Sequence, residues 1–91
     1  MCDVKYTPGA RSDLKALDPQ IVQRVLARVH WLAENCESIS HQFLTSPLRD
    51  YFKLRVGDYR VFYRYDRARN LIIVHLIGHR SQVYKGRAGR E

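Results

Sequence analysis

Residues 49–65 read RDYFKLRVGDYRVFYRY and predict two β-strands joined by a tight turn at Gly57-Asp58. Glycine supplies the positive φ angle that such hairpin turns require. Successive side chains of a strand point to opposite faces, so the hairpin has one apolar face and one face of cations and aromatic rings. The apolar face is expected to be buried, whereas the other face contacts water or an anionic partner.

We call the second surface the cationic face. Six side chains of the hairpin share it: Tyr51, Lys53, Arg55, Arg60, Phe62 and Arg64.

The formal net charge of +7 lies entirely in the second half of the chain. Residues 1–48 contain five basic and five acidic side chains, whereas residues 49–91 contain eleven basic and four acidic ones. This asymmetry favours a polyanionic partner, most often nucleic acid. Charge alone leaves open a solvated basic surface without a partner.

The 91 residues suit one domain with a single core, spanning residues 1–91. The composition, 45% apolar and 11% aromatic, argues for a folded chain. No apolar run approaches the roughly 18 residues of a membrane span, and the acidic start lacks the apolar region of a signal peptide. We therefore expect a cytoplasmic protein with Cys2 and Cys36 as reduced thiols, without metal or redox spacing.

The rest of the chain predicts further elements around the hairpin. They are a strand at 3–6, helices at about 8–17 and 19–35, and a buried strand at 71–78 reading LIIVHLIG. Thr7-Pro8 and Asp18-Pro19 start the helices, because each pairs an N-cap residue with proline at the first helical position. The order β-α-α-β-β-β predicts an α+β domain, with a four-stranded antiparallel sheet and a helical hairpin on one face.

The longer helix carries a wide apolar stripe. Its members are Ile21, Val22, Val25, Leu26, Val29, Leu32 and Ala33. Trp31 lies beside this stripe, where it would pack the edge of the domain or receive a partner.

Single-stranded RNA suits the cationic face best. Guanidinium groups match phosphate oxygens bidentately, and the rings of Tyr51, Phe62 and Tyr84 would stack on splayed bases. Single-stranded RNA offers free bases and a 2′-hydroxyl. Arg80 and Tyr84, just past the last strand, would close one edge of this surface.

Cleavage of RNA without a metal needs three roles. A base takes the 2′-hydroxyl proton, cations stabilise the pentavalent phosphate, and an acid protonates the departing 5′-oxygen. Arginines would fill the second role, and Tyr84, Lys53 or His79 would share the proton transfers. Clustered arginines more often indicate binding than catalysis, so these residues leave open a non-catalytic RNA- or ribosome-binding module.

Three motifs resemble the RelE/ParE superfamily of toxins from toxin–antitoxin modules: KLRVGDYRVFY at 53–63, IGHR at 77–80 and VY at 83–84. The resemblance covers essentially the whole chain and implies the RelE-like fold. It implies a ribosome-dependent endoribonuclease, an mRNA interferase, that cleaves mRNA in the A site and leaves a 2′,3′-cyclic phosphate. It also implies that neither a metal nor another cofactor takes part.

The resemblance implies partners as well. They are a cognate RelB-like antitoxin, mRNA on the ribosome with contacts to 16S rRNA, and operator DNA only through the antitoxin complex, with no membrane.

Roles for four residues follow from the resemblance. Lys53 matches a lysine near the scissile phosphate, and Arg60 matches an arginine that stabilises that phosphate. Arg80 matches a second transition-state arginine, and Tyr84 matches a tyrosine that stacks on the base or helps proton transfer. The other candidates for RNA contact are Tyr51, Arg55, Phe62, Arg64, His79 and Lys85.

One departure leaves the general base open. Several nuclease members carry a basic residue two positions before the lysine that Lys53 matches, and this chain has Tyr51 there. ParE-like toxins keep the fold, poison DNA gyrase and generally lack the full set of cations and tyrosine. The complete set here favours the nuclease branch, with a gyrase inhibitor and an inactive, degenerate toxin as alternatives.

Overall fold

A computed structural model describes residues 1–41 and 51–83 of the chain. Its elements in chain order are β1 (Asp3–Tyr6), α1 (Pro8–Lys15), α2 (Pro19–Glu34), β2 (Phe52–Val56), β3 (Tyr59–Asp66), β4 (Leu71–His79) and the short helix α3 (Arg80–Gln82). This order confirms the predicted α+β class, and α3 follows directly on the last strand.

Both long helices begin at their predicted caps. Thr7 Oγ1 accepts a hydrogen bond of 3.1 Å from the backbone N–H of Ala10, and proline stands in the first turn of each helix. Asp18 is the N-cap residue of α2 without a capping hydrogen bond from its side chain. No helix in the described part of the chain has the length and apolar character of a membrane span.

The four strands form one sheet in the order β1-β4-β3-β2. β2, β3 and β4 pair antiparallel, as predicted, whereas β1 pairs parallel with β4. The prediction of a fully antiparallel sheet is therefore wrong for β1. Hairpins force neighbouring strands to run in opposite directions, but the two helices between β1 and β2 form a crossover that lets β1 run alongside β4.

The alternation predicted for the hairpin is confirmed by its register. Lys53 lies opposite Phe62 on one face, and Leu54 lies opposite Val61 on the other. Gly57 has the expected positive φ of 59° in the turn.

The main core lies between the helices and the apolar face of the sheet. Val25, Val29 and Leu32 of α2 are buried there. Leu26, although part of the predicted stripe, is 41% exposed, because the sheet covers a narrower band of the helix than the stripe itself. Trp31 is 38% exposed beside the sheet edge.

Cys2 and Cys36 form a disulfide, with their Cα atoms 6.4 Å apart. The expectation of two reduced thiols is thus wrong in this structure. The end of α2 lies beside the start of β1, where the N–H of Cys2 donates to the carbonyl of Ala33 at 2.8 Å. The disulfide therefore joins two segments that are distant in sequence but adjacent in the fold.

Candidate nucleic-acid interface

The cationic face lies on the side of the sheet opposite the main core. Arg55 is directly opposite Arg60, and Arg64 is opposite Ile73. Directly opposed residues have Cβ atoms about 4.5–5.5 Å apart. The register therefore brings the four predicted cations of the hairpin, Lys53 included, onto one surface.

Arg60 is the buried member of this set, at 6% exposure. Its Nη1 donates to the carbonyl oxygens of Gly57 and Tyr59, both at 2.9 Å. A cation is costly to bury unless its donors are hydrogen-bonded, and the two carbonyls supply that compensation. Arg60 consequently braces the hairpin turn as well as belonging to the cationic face.

Arg80 contacts the same hairpin turn as Arg60 does. Its backbone N–H donates to the carbonyl of Asp58 at 2.8 Å, and its Nε lies 3.7 Å from Asp58 Oδ1. The Arg80 side chain is 61% exposed. An accessible guanidinium therefore lies beside the hairpin turn that Arg60 also contacts.

Tyr51 and Arg64 form the opposite end of this surface. The guanidinium carbon of Arg64 lies 4.9 Å from the centre of the Tyr51 ring, a distance typical of cation–π contacts. His75 also packs against Tyr51, with the two ring centres 5.0 Å apart. Both residues hold positions from which they can contact a polyanion.

Phe62 does not present an open ring, which corrects the prediction that bases stack on it. It is only 1% exposed and forms a second apolar cluster with Leu76 and Val83. The reason is that α3 folds back over the sheet. A Cβ at Gly78 would lie 2.5 Å from Val83 Cγ1, so the glycine permits this close approach.

His79 lies at the end of β4 beside Tyr59, and its contact with RNA stays a prediction. It pairs with Tyr59 in the register, and the two rings meet edge to face at 5.3 Å. Its Nδ1 accepts from the N–H of Ser81 at 3.1 Å and caps α3. Tyr84 and Lys85 lie outside the described residues.

Sequence reasoning missed a second group of residues at the edge of the sheet. His41 Nδ1 lies 2.6 Å from Tyr63 Oη, and its Nε2 lies 2.9 Å from the carbonyl oxygen of Cys36. Burial raises the pKa of Tyr63 well above its ordinary value. No local pattern indicates this cluster, because Tyr63 lies 22 residues from His41 in the sequence.

Metal-ligating side chains are not grouped in this region. Among residues 1–41 and 51–83, no three His, Cys, Asp or Glu side chains are placed to hold a metal ion together.

Comparisons with known proteins bear on the whole chain. Residues 4–84 match the family described as ParE toxin of the type II toxin–antitoxin system, parDE. The chain is 33% identical over 86 residues to the Toxin RelG of Mycobacterium tuberculosis, an alignment that covers 90% of this chain and 94% of that protein.

Two solved structures share the fold. One is the toxin–antitoxin complex RelBE2 from Mycobacterium tuberculosis, with a TM-score of 0.76, 28% identity, and coverage of 86% of this chain and 96% of that one. The other is the isolated RelE toxin of E. coli, with a TM-score of 0.72 and 17% identity over 99% of this chain and 98% of that one.

Proposed function

Because this chain belongs to the RelE/ParE family of type II toxin–antitoxin toxins, we propose that it is a RelE-type mRNA interferase. On this proposal it is a metal-independent endoribonuclease that cleaves mRNA in the ribosomal A site.

One observation carries the proposal. Lys53 and Arg60 lie on strands whose outer face points away from the main core, and Arg60 and Arg80 both contact the hairpin turn, at Gly57 and at Asp58. Family resemblance assigns the same residues to the scissile phosphate. A phosphate that develops negative charge during the reaction is stabilised by cations already held in position.

The chemistry is an internal displacement at phosphorus. The 2′-oxygen attacks, its proton passes to a base, and the bond to the 5′-oxygen breaks as that oxygen receives a proton. The products are a 2′,3′-cyclic phosphate and a 5′-hydroxyl. Arg80 is the accessible guanidinium for the phosphate, whereas Arg60 acts from a buried position beneath it. Lys53 and Tyr84 are the candidates for proton transfer.

Ribosomes programmed with a defined message test this proposal. We expect the purified protein to cut the message in the A site and leave a 2′,3′-cyclic phosphate. Arg80→Ala should slow cleavage by about 10²-fold or more. Arg69→Ala is the matched control, because Arg69 is also an exposed arginine paired with an aspartate, Asp66, in the turn after β3.

Two results would contradict the nuclease assignment. An intact message in the presence of the wild-type protein is one of them. The other is unchanged cleavage by both Arg80→Ala and Lys53→Ala.

A gyrase inhibitor is the second candidate, because the matching family is described as ParE toxin. It predicts trapped gyrase–DNA cleavage complexes and intact mRNA in the same assays. A non-catalytic RNA- or ribosome-binding module would bind RNA without forming a cyclic phosphate.

The proposed partner is a cognate RelB-like antitoxin. The RelBE2 relative was solved as a toxin–antitoxin complex, which supports a partner of that kind here. We further propose that the protein acts in the cytoplasm on ribosome-bound mRNA with contacts to 16S rRNA, and meets operator DNA only through the antitoxin. Copurification with the product of an adjacent gene, and loss of toxicity on coexpression, test the partner.

A further inference from the structure

The chain contains two cysteines, and both belong to the disulfide between Cys2 and Cys36. Cys2 is 3% exposed and Cys36 is 2% exposed. In a reducing cytoplasm, where the proposed function places the protein, paired thiols are the ordinary state. The disulfides that do form there are mostly transient ones, with catalytic or redox-sensing roles. A cysteine pair that the fold holds in reach of bonding is therefore a candidate for a reversible redox site.

Backbone hydrogen bonds hold the two cysteine segments in place independently of the sulfur atoms. The N–H of Cys2 donates to the carbonyl of Ala33 at 2.8 Å, and the N–H of Asp3 donates to the carbonyl of Asn70 at 2.9 Å. The Cα atoms of the two cysteines lie 6.4 Å apart, within the range that a disulfide spans. Because these hydrogen bonds do not require the disulfide, the two thiols stay close enough to form it again after reduction.

Access to the sulfur atoms requires a local opening of the structure. Cys36 lies in the turn after α2, where the N–H groups of Ser38 and Ile39 donate to the carbonyl of Asn35 at 3.0 and 3.2 Å. Short irregular segments of this kind open at a smaller free-energy cost than the core does. Opening of this turn would expose the sulfur of Cys36 to a small thiol while the sheet stays folded.

His41 connects Cys36 to the edge of the sheet. Its Nε2 lies 2.9 Å from the carbonyl oxygen of Cys36, and its Nδ1 lies 2.6 Å from Tyr63 Oη. A carbonyl oxygen only accepts hydrogen bonds, so Nε2 carries the hydrogen and, in the neutral ring, Nδ1 accepts from the tyrosine hydroxyl. The same ring packs against Phe52 and Tyr65, with ring centres 5.1 and 4.5 Å away. The position of the Cys36 backbone therefore affects how His41 contacts β2 and β3.

We propose that Cys2 and Cys36 form a reversible redox site, and that closure of the disulfide fixes His41 against the edge of the sheet. The reductant is a dithiol, and the oxidant is a low-molecular-weight disulfide such as oxidised glutathione. Phe52 directly precedes Lys53 in β2. The redox state therefore affects the strand that carries one of the cations proposed to bind RNA, a consequence that rests on the proposed function.

Both directions of the reaction are thiol–disulfide exchange. In opening, a thiolate of the dithiol attacks the sulfur of Cys36, the bond to Cys2 breaks, and Cys2 leaves as a thiolate that takes up a proton. The second thiolate of the reductant then attacks the reductant sulfur of the mixed disulfide. This step releases Cys36 and leaves the reductant as a cyclic disulfide, so two electrons and two protons pass to the protein. In closing, Cys36 displaces one glutathione thiolate from oxidised glutathione, and Cys2 displaces the second.

A redox titration of the ¹⁵N-labelled full chain tests whether the site is reversible. We expect the wild type to open its disulfide in dithiothreitol and to close it again in oxidised glutathione, with the original amide spectrum restored. Alkylation with N-ethylmaleimide followed by mass spectrometry measures the free thiols at each step. Both cysteines should be alkylated after dithiothreitol, and neither after return to oxidised glutathione.

The ring nitrogens of His41 report the effect of closure. In the oxidised protein we expect long-range ¹H–¹⁵N spectra to show one tautomer, with the hydrogen on Nε2, and after reduction a mixture of tautomers. His30 is the internal control, because its Nε2 lies 3.2 Å from Glu34 on the exposed side of α2, and its signals should be the same in both states. Cys2→Ser/Cys36→Ser should give the His41 signals of the reduced protein in both buffers.

Linkage provides an independent measurement. If closure fixes His41, the contacts of His41 stabilise the closed state by the same factor. His41→Ala should therefore lower the ratio of reduced to oxidised dithiothreitol at which half of the protein is open by about fivefold, the effect of one hydrogen bond. His30→Ala, the matched control at an exposed histidine, should titrate like the wild type.

Four outcomes overturn the proposal. They are failure of the reduced pair to close again, loss of the folded spectrum on reduction, His41 signals that are the same in both states, and an unchanged midpoint for His41→Ala. None of these measurements depends on RNA cleavage. A reversible site in a protein without nuclease activity would therefore refute the proposed function alone, and cleavage by a protein whose disulfide does not switch would refute the redox site alone.

Discussion

The guanidinium of Arg60 is buried, although this residue belongs to the face expected to contact RNA. Its hydrogen bonds to the carbonyls of Gly57 and Tyr59 hold the turn that also receives Arg80. Loss of the proposed nuclease activity in an Arg60 variant would therefore have two possible causes, a missing contact with phosphate or a displaced turn. The free energy of unfolding of the variant distinguishes these two causes.

We expect Arg60→Ala to lower the free energy of unfolding by about 2–3 kcal/mol, because it removes hydrogen bonds from a charged donor and leaves two carbonyls without that partner. Arg80→Ala should lower it by less than about 1 kcal/mol, since its ion pair with Asp58 is exposed to solvent. Urea denaturation of the purified variants measures both. Equal stability of the two variants would show that Arg60 does not brace the turn.

Tyr63 provides a prediction that depends on pH. Tyr63→Phe removes the hydrogen bond to His41 and should cost about 1 kcal/mol at neutral pH. Burial raises the pKa of Tyr63 in the folded state, so the unfolded chain, in which tyrosine ionises near pH 10, loses this proton first. The contribution of Tyr63 to the free energy of unfolding of the wild type is therefore fully present below about pH 10 and decreases as the pH rises above it.

The stability difference between wild type and Tyr63→Phe should accordingly shrink between pH 8 and pH 11. Denaturant titrations at the two pH values measure it, and other tyrosines cancel because both proteins contain them. A difference that stays constant would show that Tyr63 is not protected from ionisation.

At the scale of elements, the contact between α3 and β4 decides how much of the cationic face is open. Val83 packs on Gly78 and covers Phe62. Gly78→Ala places a methyl group in space that Val83 occupies and should destabilise the protein by about 1–3 kcal/mol. Val83→Ala should destabilise it by a similar amount, about 1–3 kcal/mol, through a cavity.

The double variant Gly78→Ala/Val83→Ala should lose less free energy of unfolding than the two single variants lose together, by at least about 0.5 kcal/mol. The reason is that the shorter side chain at position 83 leaves room for the methyl group at position 78. Thermal or urea denaturation of the four proteins completes this cycle. Strict additivity would mean that α3 does not pack on β4 as described.

At the scale of the whole molecule, the disulfide joins the start of the sheet to the end of α2 across 34 residues of sequence. A cross-link of this span should contribute about 3–4 kcal/mol, mainly by restricting the unfolded chain. Reductant should lower the stability of the wild type by that amount and leave Cys2→Ser/Cys36→Ser unchanged. Equal stability of the wild type with and without reductant would contradict the assignment.

The net charge of +7 also acts at this scale. If the four cations of the hairpin bind phosphates, a plot of log Kobs for hexauridylate against log [salt] should have a slope of about −3. Arg64→Ala should flatten the slope by about 0.7, the value for one phosphate contact of a single strand. A slope near zero would contradict the proposal that the cationic face binds RNA.

Much of this fold follows from patterns that act over a few residues. The caps at Thr7 and Asp18, the turn glycine Gly57 and the alternation along β2 and β3 each depend on neighbouring backbone and side-chain geometry. Such patterns can be recognised in a single sequence. They placed the helices, the hairpin and the four cations of its outer face.

Contacts between distant segments decided the rest. The parallel pairing of β1, the Cys2–Cys36 disulfide and the burial of Phe62 under Val83 each join residues that no short-range pattern connects. Alternation also predicts the face of the sheet on which Arg60 lies. Only the folded turn, however, supplies the two carbonyl oxygens that accept hydrogen bonds from its buried guanidinium. The physical reason is that alternation and capping are properties of one local stretch of backbone, whereas burial and pairing depend on which other stretch packs against it.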